Sequence, residues 1–141
     1  MSTGLAVATA LTFVWLGMVL AISFLEAPLK FRAPGVTLQI GLGIGRLVFR
    51  ALNSAEVLIA VGIAVGLMLN HPSTGIVKAF AIAFGALIAQ LAGVRPRLTR
   101  RSDAVLAGDD APRSRAHYVY VALEAIKVIA LIAGGILLLS S

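Results

Sequence analysis

Four long apolar runs, separated by short polar breaks, organise this chain of 141 residues. The first run covers about residues 5–25, close to the ~20 residues that a helix needs to cross the hydrocarbon core of a bilayer. Pro28 and Pro34 interrupt the segment that follows, and Pro28 reads as a helix stop. Residues 36–50 form a Gly-rich, partly amphipathic stretch that leads without a breaker into the second run, about 51–69. A short turn, Asn70 to Gly75, precedes the third run at about 76–94. Residues 95–116 are the one substantial polar loop, carrying Pro96, Asp103, Asp109, Asp110 and Pro112. The fourth run covers about 118–139. Short connections favour antiparallel neighbours, so the expected architecture is one all-α domain over 1–141, a four-helix transmembrane bundle.

Composition and charge fix how that bundle would sit. With 60% hydrophobic and 13% charged residues, little is left for a separate soluble domain. Of the twelve basic residues, ten fall in or beside the first and third breaks: Lys30, Arg32, Arg46, Arg50, Arg95, Arg97, Arg100, Arg101, Arg113 and Arg115. With four crossings those two breaks share a face, and the positive-inside bias makes that face cytoplasmic, with both termini outside. An integral, multi-pass protein of the plasma membrane is the expectation. A net charge of +6 would also suit nucleic acid, but these basic residues flank apolar spans. Orientation and contact with anionic lipids are therefore expected, and nucleic-acid binding is not. The absence of cysteine removes disulfides, thiolate nucleophiles and sulfur-ligated metals. Met1 to Gly4 carry no basic side chain for a signal-peptide n-region, so the first span is expected to stay in the protein.

Polar residues within apolar spans are costly and usually turn toward partners or water. Here they keep helical spacing. Arg46, Arg50, Asn53 and Glu56 share one face of the second helix, and His117, Tyr120, Glu124 and Lys127 share one face of the fourth. Glu26 and Lys30 end the first span, and Gln90 lies near the end of the third. All of these group toward the cytoplasmic side, whereas the outer half carries only Lys78 near its rim. If the stripes face inward, they form a polar vestibule open to the cytoplasm and closed outside by an apolar plug. Its acids are expected to be ion-paired, with Glu56 and Lys127 one candidate pair. Against this stands a plainer reading, in which charges near helix ends snorkel to headgroups and ion pairs are purely structural. That reading leads for Lys30, Arg32, Arg46 and Arg50, and it draws level for Glu56 and Glu124.

Small residues suggest where helices touch. Ala81, Gly85, Ala89 and Gly93 recur at every fourth position, Gly62 and Gly66 form a GxxxG, and Gly17 with Ala21 makes a similar step. Packing within the chain is the favoured use, and a homodimer is the alternative. Trp15 and most phenylalanines read as bundle or lipid contacts. The glycines at 41, 43 and 45 follow no strand, so they are not read as a phosphate loop. His71 in the outer turn and His117 on the cytoplasmic side are too far apart to share a haem or a metal, so neither metal nor cofactor is expected.

In several segments the chain resembles the transmembrane protein 205 family of small four-span proteins. The segments are Trp15-Leu-Gly17, Ala27-Pro-Leu-Lys-Phe31, the stretch from Gln90 to Pro96, and His117-Tyr-Val-Tyr120. The chain departs from that pattern in its short third connection and in the charges of Glu124 and Lys127. Through Asn53-Ser-Ala-Glu56 it also resembles small DoxX-like four-span proteins. Both resemblances imply a four-helix membrane protein and neither implies an activity. From the residues, the function expected is handling of a small solute or proton at the polar cluster. The alternative is an accessory or assembly subunit of a larger membrane complex. An enzyme using Glu124 and His117 on a lipid or quinone ranks last, since two helical turns separate them.

Overall fold

Three of the four helices begin at a hydroxyl cap. Ser2 accepts from the Leu5 amide, Thr37 from Ile40 and Ser73 from Ile76, each satisfying a backbone donor that the first helical turn leaves open. In this computed structural model, which describes residues 1–108 and 115–141, the helices are α1 (Thr3–Arg32), α2 (Leu38–Met68), α3 (Thr74–Leu106) and α4 (Arg115–Leu139). All four are long and apolar enough to cross a membrane. The chain is an all-α, multi-pass integral membrane protein. Asp109, Asp110, Pro112 and Arg113 of the expected loop lie outside the described residues.

Three boundaries differ from the sequence expectation, each for a physical reason. Pro28 does not stop α1, which continues to Arg32. A π-helical stretch, Leu20–Glu26, comes just before it and places Pro28 in the first turn of a resumed α-helix. Proline has no amide hydrogen and clashes with the carbonyl four residues back, and a widened turn relieves both demands. The same device recurs in α3, where the π-helical stretch Gln90–Val94 precedes Pro96. The expected loop at 95–116 is therefore helical as far as Leu106. That extension docks on α2: Val105 is buried, the Gln39 amide donates to the Val105 carbonyl at 3.3 Å, and Arg46 pairs with Asp103 at 2.8 Å. The Gly-rich stretch expected to lead into the second span is itself helix from Leu38, one continuous rod of 31 residues.

Helix α1 packs against α2 and α4, and α3 packs mainly against α4. Both termini share one face with the 69–73 turn, where Ser2 donates to the Asn70 side chain at 2.7 Å and Gly75 lies beside Leu137. This is the terminal face. The 33–37 connection and the end of α3 make the opposite, loop face. An apolar core fills the terminal half, with Trp15, Ile63, Phe80, Leu131 and Leu138 buried in one cluster. Leu58, Met68, Ile88, Ile129 and Leu139 are exposed on the outside, as lipid-facing side chains should be.

Close approach falls partly where small residues forecast it. A Cβ on Gly62 would lie 2.9 Å from Leu11, and one on Gly66 would lie 2.9 Å from the Gly4 carbonyl, so the GxxxG seats α2 on α1. The stripe on α3 does not serve the bundle. Ala81, Gly85, Ala89 and Gly93 are all exposed, and nothing lies within 4 Å of a Cβ built on Gly85 or Gly93. This corrects the expectation of packing within the chain. The tight contact of α4 is instead at Gly134 and Gly135, which press on the rings of Phe80 and Phe13.

Candidate functional site

Lys127 stands twelve residues from either end of α4 and is fully buried. At 1.5 Å per residue that is ~18 Å from each helix end, near the middle of a ~30 Å hydrocarbon layer. An ammonium has three N–H donors. Here all three have acceptors: Glu56 Oε2, Glu124 Oε1 at 2.5 Å and Gln90 Oε1 at 2.9 Å. The acceptors are in turn supported from other helices. The Trp15 indole donates to Glu56 Oε2 at 2.7 Å, Ser23 Oγ donates to Glu124 Oε2 at 2.6 Å, and Gln90 Nε2 donates to Glu124 Oε1 at 3.2 Å. Each of the four helices thus contributes to one network, and Glu56, Gln90, Glu124 and Lys127 are all essentially inaccessible.

Two features of this network bear on chemistry. Its two carboxylates and one ammonium sum to −1, and one bound proton makes it neutral. In addition, Glu56 Oε1 is buried with no hydrogen-bond partner among the described residues. A buried carboxylate oxygen without a donor is costly. The open valence sits on the acid that Trp15 and Lys127 hold by its other oxygen.

Above the network, toward the loop face, all four helices diverge around a cavity of about 680 Å³. Glu124 and Asn53 form its floor, and Lys30, Arg46, Arg50, Arg95 and Arg101 surround its upper part. Tyr120 braces the lower wall, with its ring edge-on to Phe49 (centroids 6.0 Å apart, planes at 87°) and its hydroxyl 3.5 Å from Asn53 Oδ1. Lys30 and Arg95 both lie over the Phe49 ring, each 5.8 Å from its centroid. Gly41 and Gly45, the glycines of the discarded phosphate loop, have a structural use. A Cβ on Gly41 would strike the Phe31 ring, and one on Gly45 would lie 3.0 Å from Lys30 Nζ. They let the exit of α1 lie along α2. A second cavity of about 260 Å³ opens between α2 and α3 near the terminal face and is lined by apolar side chains and Pro72.

The two predicted stripes divide between these environments. Asn53, Glu56, Gln90, Tyr120, Glu124 and Lys127 are buried, and they converge at mid-helix rather than at one end. Arg46, Arg50 and His117 border the cavity above. Glu26 stands apart from the network, 3.9 Å from Lys30 one turn along α1. Trp15 and Ser23 were missed as members of the network. Trp15 carries an indole donor at the depth of Glu56, which is a usable clue; a lone Ser23 in an apolar run is not. Among the described residues no group of three His, Cys, Asp or Glu side chains converges. No protein-family model matches this chain, and neither a curated protein nor a solved structure does.

Proposed function

We propose that this protein handles a small solute or a proton, admitted at the loop face and relayed to the buried carboxylates. The observation that carries this reading is the double position of Glu124. The same carboxyl group belongs to the cavity floor and to the Lys127 network, so a proton or solute in the cavity meets an acid already linked to Glu56. A network one proton short of neutral, built at mid-membrane, is an arrangement suited to loading and unloading protons. The basic loop face is cytoplasmic in this proposal, both termini are outside, and the membrane is the plasma membrane.

Flux into proteoliposomes with a trapped pH indicator tests it. Glu124→Gln and Glu56→Gln each leave Lys127 one carboxylate, so either variant keeps a neutral buried pair and should fold. Wild-type protein is expected to carry an acid pulse and each variant to lose it by about tenfold or more, in keeping with a positioned proton carrier. Equal flux in all three proteins would overturn the reading.

A second reading, an accessory subunit or homodimer, draws on the outward face of α3. Ala81, Gly85, Ala89 and Gly93 present a surface on which another helix can pack closely. Native mass spectrometry after gentle extraction decides it. A membrane partner in fixed ratio supports this reading, and a lone monomer removes it.

A further inference from the structure

The cavity above the network has a composition that proton handling does not require. It is ringed by cations and faced with aromatic rings, and its only lining carboxylate among the described residues, Glu124, is already engaged by Lys127 and Ser23. Of the basic residues around it, Arg46 is paired with Asp103 and Lys30 with Glu26. Arg50 and Arg95 have no carboxylate partner among the described residues. Other arginines of the same face are placed differently: Arg50 is exposed as Arg97 and Arg100 are, but Arg97 and Arg100 do not line the cavity.

Depth and shape add to this. Counting about 20 residues inward from the terminal face reaches the neighbourhood of Phe49 on α2 and Val94 on α3, which is one hydrocarbon thickness. Arg46, Arg50 and Arg95 therefore stand at the level of the lipid headgroups, and the cavity runs from there down to Glu124. A volume of about 680 Å³ falls within the ~300–1,000 Å³ usual for small-molecule sites. Phe24, Phe31, Phe49, Leu42 and Leu98 supply apolar wall. Arg95 lies over the Phe49 ring, 5.8 Å from its centroid, and a guanidinium is the side-chain group suited to meet an oxyanion in a forked pair.

From this juxtaposition we infer that the cavity binds an anionic amphiphile, its phosphate or carboxylate head between Arg50 and Arg95 and its apolar body against the phenylalanines of the cavity wall. The inference rests on the cavity being the solute site and names the class of solute. A lipid headgroup and a free organic anion share this chemistry, and the measurement separates them.

Purified protein in a neutral maltoside detergent is titrated with dodecyl phosphate, inorganic phosphate and dodecyl glucoside, and bound species are counted by native mass spectrometry. One dodecyl phosphate per chain is expected, with neither inorganic phosphate nor the neutral glucoside matching it. Arg50→Gln and Arg95→Gln should each weaken binding by about tenfold, as loss of a charge-assisted pair would. Arg95→Lys keeps the charge and the fold, and should weaken binding by a smaller factor. Arg97→Gln should leave binding unchanged. Repeating the titration in nanodiscs identifies the source: displacement by phosphatidylglycerol assigns the site to a lipid head, and binding indifferent to it assigns the site to a free anion. Equal binding to wild type and the double variant Arg50→Gln/Arg95→Gln overturns the inference, as does equal binding of the neutral glucoside. Because no flux is measured, a leak-free wild type with intact amphiphile binding would sink the proton reading alone.

Discussion

Trp15 and Arg95 mark two halves of one bundle. On the terminal side of the Glu56–Lys127–Glu124 network, the helices interlock through Gly62, Gly66, Gly134 and Gly135, and apolar side chains fill the centre. On the loop side the same helices part around a cavity edged with cations. Small residues close the first half by backbone approach; prolines, widened turns and long side chains open the second. The network lies on the boundary. It is braced from both sides, by Trp15 from the closed half and by Ser23 from the π-helical stretch that borders the open one. A closed half and an open half meet at a buried acid cluster, and the proposed function takes its one-sided access from that asymmetry.

The harshest way to break that boundary is Lys127→Met. It strands two carboxylates at the bilayer midplane, and removing one partner of a buried ion pair costs roughly 3–5 kcal/mol. We expect little folded protein in detergent by size exclusion and a melting transition far below wild type. Combining Lys127→Met with Glu56→Gln and Glu124→Gln removes every charge, and should recover much of the loss. If the triple variant melts no higher than the single one, charge balance is not what holds the network together. Trp15→Phe is gentler. It keeps the ring that stacks on Phe84 at 6.0 Å and deletes the donor to Glu56. Leaving a buried acceptor less satisfied costs about 1–3 kcal/mol, visible as a lower melting temperature.

The closed half is sharpened by comparing two glycines. Gly134→Ala would place a methyl group 2.8 Å from Phe80, and overpacking of this kind costs about 1–3 kcal/mol. Gly85→Ala meets nothing within 4 Å and should be neutral or gain up to about 1 kcal/mol from helix propensity. Equal melting temperatures for the two variants would mean that α4 does not pack on Phe80 as described.

Much of this was legible in the chain. Hydropathy alone marked the four helices, because a span must satisfy its own backbone and leaves a run of apolar residues behind. Helical spacing put Asn53 with Glu56 and Tyr120 with Glu124 and Lys127 on shared faces, and those faces turn inward. What was not legible depends on information that local pattern lacks. Pro28 looked like a stop and Pro96 looked like part of a loop because nothing in sequence signals a π-helical turn before them. The α3 stripe looked like packing because Gly and Ala repeat there, but spacing says which residues share a face and never which way the face points. Gly134 and Gly135 were passed over since adjacent glycines make no four-residue step. Trp15 and Ser23 join Glu56 and Glu124 across 41 and 101 residues of sequence, which only tertiary structure can bring together.

The open half offers the mildest test, at Arg46 and Asp103. Their side chains are 37% and 58% exposed, so water screens the pair, and such contacts contribute roughly 0–1 kcal/mol. Asp103→Asn should therefore barely move the melting temperature. Its effect on the cavity is of another kind. Asp103 is the partner that keeps Arg46 from counting as a free cation at the mouth, so its neutralisation adds one uncompensated positive charge near Arg50 and Arg95. Affinity for dodecyl phosphate should rise by a few-fold at low salt and return to the wild-type value as salt screens the mouth. A fall in affinity, or a rise that ignores ionic strength, would show that the cavity does not draw its ligand by charge.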